Sequence, residues 1–174
     1  MCKFKQLNNI DDLAINLHYI PLLKGCYEKY IKYFQDDFAK TNSENFITFL
    51  LNLSPYFWIV TDYNDKFMGF VFLDNFTGDR TSLYSAELTT GFDKSAWGIF
   101  TRYSARIFLK KCFDELGLYK IKAQIYPDNH RSKTLMKNCG FIYESTLKNE
   151  TLRFGKPQDI EVYALYRDYY YKTR

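Results

Sequence analysis

Asn129 and Ser132 are the residues whose types and spacing are best suited to chemistry. They stand three apart in Pro127-Asp-Asn-His-Arg-Ser132, a stretch that stops one regular segment and opens another, so both polar groups lie on a turn where they can face a ligand. A serine hydroxyl can donate a hydrogen bond to an anionic group without changing its own charge, and an asparagine amide can donate and accept. The same residues also suit local structure: Asn129 ends the turn, and Ser132, or Asn129 just before it, can cap a helix. The two roles are compatible. Glu87 is a carboxylate in the middle of an alternating segment, where it can serve as a proton acceptor or simply face solvent beside a cross-strand lysine. His130 reads as an exposed residue beside the turn. Tyr126 and Tyr143 are candidate acids, but among sixteen tyrosines they read as packing. The four cysteines are Cys2, Cys26, Cys112 and Cys139. They form no close pair at metal-ligand spacing, and two histidines are too few to complete a zinc site.

The elements that must position these residues are legible. Residues 120–126 alternate, with Ile121, Ala123 and Ile125 on one face. A short helix then carries Leu135, Met136 and Cys139 inward and ends at Gly140. Residues 82–92 alternate too, with Tyr84, Ala86, Leu88 and Phe92 on one face and Leu83, Ser85, Glu87 and Thr89 on the other. Between these strands residues 98–116 form an amphipathic helix with a stripe of Ile99, Tyr103, Ile107, Phe108, Cys112, Phe113 and Leu116, closed by Gly117. Strand, long helix, strand makes the two strands parallel neighbours. Upstream, residues 3–7 suit an edge strand. Residues 11–33 suit a helix interrupted at Pro21, with Leu13, Ile15, Leu17 and Ile20 before it and Leu22, Leu23, Tyr27, Tyr30 and Ile31 after. Thr41-Asn-Ser-Glu44 has capping-box spacing before Phe46, Ile47, Phe49 and Leu50. Residues 57–61 and 67–73 read as a hairpin, and residues 141–148 and 160–165 as two final strands.

The chain has 174 residues and a net charge of +4, from 24 basic and 20 acidic side chains. The basic excess is spread out, so nucleic-acid binding is a minority reading. No run approaches the length of a membrane span, and the N-terminus lacks a signal-peptide pattern. The expectation is a soluble cytoplasmic protein with no repeat or linker, a single domain over residues 1–174.

This order of elements resembles the GNAT superfamily of acyl-CoA N-acyltransferases, and within it the RimJ/RimL-like branch of ribosomal-protein N-terminal acetyltransferases. The residues that carry the resemblance are Phe113-Asp-Glu-Leu-Gly-Leu-Tyr-Lys-Ile-Lys-Ala123, Asn129-His-Arg-Ser132, Leu135 and Cys139-Gly-Phe141. They continue with Tyr143-Glu144, Lys156-Pro-Gln-Asp159 and Val162-Tyr163-Ala-Leu165. The resemblance implies a mixed α/β (α+β) fold. Its central twisted, mostly antiparallel sheet would have about six or seven strands, with one parallel pair and helices on both faces.

The resemblance also implies acetyl-CoA as donor, no metal, and an amine-bearing acceptor, either a protein N-terminus or a small molecule. In the family, acyl-CoA lies where the parallel strands splay apart, with its pyrophosphate at the N-terminus of the intervening helix. That assigns Gly98, Thr101 and Arg102, with Ser95, to the phosphates. The backbone of Leu88, Thr89 and Thr90 falls to the pantetheine arm. Asn129 falls to that arm or a bound water, and Ser132 to the CoA sulfur. Glu87 stands where the family often places its base. Glu150 competes for that role, lying just past residues 141–148, and Asp159 matches an acidic residue that could orient a substrate amine. One segment departs from the pattern. Lys94-Ser-Ala-Trp-Gly-Ile-Phe-Thr-Arg102 holds a single glycine, with Trp97 and Ile99 where glycines are usual. Those side chains either narrow the phosphate seat, or the loop takes another path with Ser95, Thr101 and Arg102 as contacts. The alternative to an enzyme is a silent GNAT-fold binding or assembly module with a degenerate pyrophosphate loop. The aromatic, basic segment 166–174 suits a frayed tail or a subunit contact such as a homodimer.

Overall fold

A computed structural model describes residues 1–34 and 43–172. A seven-stranded sheet runs in the order β1-β2-β3-β4-β5-β7-β6. Its strands are β1 Cys2–Leu7, β2 Phe57–Asp62, β3 Phe67–Gly78, β4 Leu83–Phe92, β5 Lys120–Ile125, β6 Ile142–Arg153 and β7 Lys156–Tyr166. The helices are α1 Ile10–Ile15, α2 Ile20–Tyr30, α3 Ser43–Asn52, α4 Ile99–Asp114, α5 His130–Asn138 and α6 Arg167–Lys172. The expected mixed α/β fold with one parallel pair is what forms: β4 and β5 are parallel, while β1–β2, β2–β3, β5–β7 and β6–β7 are antiparallel. The chain makes two compact units, residues 1–74 with 89–101 and residues 75–88 with 102–174.

The first unit has an aromatic core. Asn9 caps α1, its side chain accepting from the N–H groups of Asp11 and Asp12. A short 3-10 turn, Leu17–Tyr19, follows. Pro21 then stands in the first turn of α2, where its missing N–H costs nothing, so it restarts the helix as the sequence suggested. The buried face of α2 is Ile20, Leu23, Cys26 and Tyr27. Ile15, Leu17 and Leu22, expected inside, are exposed. The break before α2 resets the helical phase, so the two segments share no continuous stripe. The Tyr27 ring meets Phe49 at 5.3 Å and Phe70 at 6.1 Å, and Phe70 stacks on Phe57 at 5.7 Å. The expected capping box rests on Thr41 and Asn42, which lie outside the described residues.

The second unit contains β5, β6, β7, α5, α6 and α4 from Arg102 onward. β5 buries Ile121, Ala123 and Ile125 and turns Lys120, Lys122 and Gln124 to the other face, as its alternation required. α4 departs from its expected stripe. Phe108, Cys112 and Phe113 are buried, but Ile99 is 79% exposed and Tyr103 and Ile107 also face out. Thr101 and Ser104 are buried in their place. The helical period explains this: Thr101, Ser104, Phe108 and Cys112 share one face, and the series Ile99, Tyr103, Ile107 lies round the other side. The two final strands are also longer than expected. β6 and β7 form one hairpin through Phe154 and Gly155, both at positive φ, so residues 149–159 are largely strand rather than loop. The segment after β7 is helical, with Tyr170 buried, its ring 5.1 Å from Phe113 and its hydroxyl donating to Arg106 O.

Candidate active site

Glu87 sits on β4 opposite Lys122 of β5. It is half-buried, and two side-chain amides bond to its carboxylate. Oε2 accepts from Gln124 Nε2 at 3.0 Å and from Asn75 Nδ2 at 3.2 Å. An ionised carboxylate is an acceptor only, so two N–H donors suit it. Asn75 lies on β3 at φ 46, a left-handed conformation that asparagine tolerates better than most residues. Sequence reasoning missed both amides. Gln124 was visible as the third polar position of β5's alternation, whereas Asn75 lay beyond the expected end of its strand.

The parallel ladder runs from Ser85↔Lys120 to Glu87↔Lys122. β5 itself pairs with β7 along its whole length, from Lys120↔Tyr166 to Ile125↔Glu161. Glu87 is therefore the last laddered residue of β4 on its β5 side. Leu88, buried, and Thr89 and Thr90, half-buried, continue the strand beyond that point.

Asn129 proves to be the N-cap of α5, its Oδ1 accepting from Ser132 N–H at 3.2 Å. Ser132 is thus the third helical residue rather than the cap. Both side chains are half-buried. Among the described residues the Ser132 hydroxyl and the Asn129 NH2 group make no hydrogen bond to protein, so the side-chain cap uses only the asparagine Oδ1 and the serine N–H. The turn is braced. The Asn129 N–H donates to Tyr126 O at 2.9 Å, and Lys133 Nζ donates to Pro127 O at 2.8 Å and Glu161 Oε1 at 3.2 Å. Tyr163 donates to the other Glu161 oxygen at 2.8 Å, and burial together with that carboxylate pushes its phenol up to about 12. Tyr126 is buried against Arg153, Tyr143 is exposed, and His130 is exposed as expected.

In the first unit, the segment before α4 forms a 3-10 turn, Lys94–Ala96, capped by Asp93. Ser95 N–H and then its hydroxyl bond to Asp93, and these bonds hold the carboxyl below its usual range. The Thr101 hydroxyl donates to Ala96 O at 2.7 Å. Both hydroxyl protons expected to meet phosphate are therefore engaged within the loop. Trp97 turns its indole N–H to Phe92 O at 3.3 Å. Gly98 adopts φ +99, and a Cβ there would meet nothing beyond its chain neighbours. Ile99 then opens α4 at the positive end of the helix dipole. Arg102 of the second unit, in the next turn, is exposed and has no ion-pair partner among the described residues.

Glu150 is not in a loop but within β6, beside a register shift between Leu147 and Thr151. It is exposed. Asp159 stabilises that bulge, accepting from Lys148 Nζ at 2.7 Å and Asn149 N–H at 3.0 Å. Those two bonds lower its carboxyl pKa. Among the described residues no group of three or more His, Cys, Asp or Glu is placed to hold a metal, and no helix is long and apolar enough to cross a membrane.

Comparison with known structures gives the same topology. Spermidine N-acetyltransferase from Vibrio cholerae, in complex with CoA and spermine, superposes with a TM-score of 0.79 at 20% identity, covering 98% of each chain. An acetyltransferase of the GNAT family from Bacillus anthracis gives 0.75 at 14% identity, covering 96% of this chain and 95% of that one. Mycobacterium smegmatis RimJ in complex with CoA-disulfide gives 0.73 at 16%, over 87% and 79%. At such identities the likeness is one of fold. No curated protein matches the sequence. The sequence model described as "Acetyltransferase (GNAT) domain" matches residues 22–142, and the chain therefore belongs to the GNAT family of acetyl-CoA-dependent N-acetyltransferases.

Proposed function

We propose that the chain moves an acetyl group from acetyl-CoA directly to a primary amine, with Glu87 as the base. The observation that carries this reading is the Glu87 carboxylate, held by Asn75 and Gln124 at the last laddered position of β4. An amine must be neutral to attack a thioester, and a carboxylate held by neutral donors can accept its proton directly or through water. The departing sulfur needs a donor. The Ser132 hydroxyl supplies one, since its protein neighbours make no claim on it. The Asn129 NH2 group is available to a carbonyl of the pantetheine arm or to a bound water. Backbone groups of Leu88, Thr89 and Thr90 pair with that arm in the manner of an added strand.

The pyrophosphate falls to Gly98 and the start of α4, with Arg102 as the cation. Thr101 makes no hydroxyl contact there, and Glu150 takes no part in the chemistry. The acceptor is a small amine such as a polyamine, or a protein N-terminus. The fold likeness to spermidine N-acetyltransferase supports the first. The ordered series from Phe113 to Leu165, which resembles the RimJ/RimL branch, supports the second.

The engaged Ser95 and Thr101 hydroxyls favour a second reading, a silent binding module whose phosphate loop has lapsed. Thermal unfolding in the presence of acetyl-CoA separates the two, because a ligand that binds only the folded state raises the midpoint. The enzyme reading predicts a dose-dependent rise that weakens in Arg102→Ala. The silent module predicts none.

A further inference from the structure

We infer that Arg153 is a positioning residue for Asn129 and Ser132, holding from the end of β6 the turn on which both are presented. The inference rests on the assignment of those two residues to the thioester in the proposed function. Arg153 Nη1 and Nη2 donate to Asp128 Oδ1 and Oδ2, each at 3.0 Å. The same guanidinium lies 4.4 Å from the centroid of the Tyr126 ring, and Nη2 also reaches Gln158 Oε1 at 3.3 Å. Its side chain is only 16% exposed, although its neighbours Leu152 and Phe154 are 69% and 82% exposed. An arginine at an exposed hairpin tip has thus been drawn inward onto one turn.

Tyr126 and Asp128 flank Pro127, and Asn129 N–H is bonded to Tyr126 O. One planar group therefore holds both sides of the turn that ends in the Asn129 cap. Lys133 secures the same turn from α5 through Pro127 O. Paired bonds to a carboxylate together with stacking on a ring are open to arginine but not to lysine. Asp128 is 55% exposed, so the pair adds little to global stability. Its effect is local, on where the Ser132 hydroxyl points. Small displacements of such groups matter, since misplacement by about 1 Å can cost on the order of a hundredfold in rate.

The test compares wild type, Arg153→Lys, Ser132→Ala and the double variant. Turnover of acetyl-CoA is followed with spermidine and with peptides bearing free N-termini as acceptors, and CoA affinity by calorimetry. Arg153→Lys should lower kcat by about tenfold or more while CoA affinity stays within about twofold. The double variant should be no slower than Ser132→Ala alone, because both changes remove one function. Turnover at the wild-type rate in Arg153→Lys, or losses that multiply in the double variant, overturns the inference. If Ser132→Ala itself turns over normally, the assignment of Ser132 fails and the inference fails with it. If Ser132→Ala is slow and Arg153→Lys is not, only the inference fails. Amide exchange needs no acceptor: in Arg153→Lys it should quicken at residues 129–133 and not in the β5 and β7 core, and unchanged exchange there overturns the positioning role as well.

Discussion

Glu87 is the residue on which the proposed chemistry turns, because two side-chain amides hold its carboxylate at the last laddered position of β4. Two amides bond to one of its oxygens, and Glu144 on β6 pairs with Lys120. Burial raises the Glu144 carboxyl, but bonds from Lys120 and Tyr166 outweigh it and hold the group below its usual range. Glu87→Gln keeps the shape and removes the base. It should lower kcat by about a hundredfold or more and leave CoA affinity nearly unchanged. Glu150→Gln, on the exposed bulge of β6, should have no effect on either. Steady-state kinetics and calorimetry on the two variants check this, and equal losses in both would show that the carboxylates have been wrongly divided. Ser132→Ala should lower kcat by about a hundred- to a thousandfold, the usual range for losing one donor to a developing anion.

Elements set where these residues stand, and their packing makes its own predictions. Gly91 of β4 faces the Phe70 ring so closely that an added Cβ would lie 2.5 Å from it. Phe70 cannot yield, because Tyr27, Phe57 and Phe72 stack around it. Gly91→Ala should destabilise the protein by about 1–3 kcal/mol, read as a lower urea midpoint. At the β3–β4 turn, the Thr81 hydroxyl and the N–H groups of Thr81 and Ser82 bond to Asp79, which lowers its carboxyl to about 2. The unfolded value is about 3.9. A depressed folded value stabilises the native state above the unfolded one, and that contribution is lost as pH falls toward about 2. The gap between wild type and Asp79→Ala should therefore be full at neutral pH, narrow below about pH 4 and close near pH 2. A constant gap would show that the turn is held by something other than the charge.

At the scale of the whole molecule, strands were the most legible part of the sequence. The period-2 pattern of β5 states directly which side chains are buried, and the strand–helix–strand order settles the parallel pair. The α4 stripe was misread because apolar identity was weighed above helical phase, so buried Thr101 and Ser104 were passed over for exposed Ile99 and Ile107. Asn129 and Ser132 were found because a turn and a cap have local signatures. The partners of the site residues had none. Asn75, Gln124 and Arg153 reach their targets across strands 12, 37 and 25 positions away in sequence, and no local pattern encodes such a bond. The engaged hydroxyls of Ser95 and Thr101 were hidden for the same reason, since only the folded loop shows where each proton goes. The central claim is that this chain transfers acetyl groups to an amine and uses Glu87 to do so. Mass spectrometry of polyamines and N-terminal peptides incubated with acetyl-CoA and either wild type or Glu87→Gln tests it most directly. The account predicts an acetylated amine with wild type, formed about a hundredfold more slowly with the variant; no acetylated product, or equal rates for the two proteins, would contradict it.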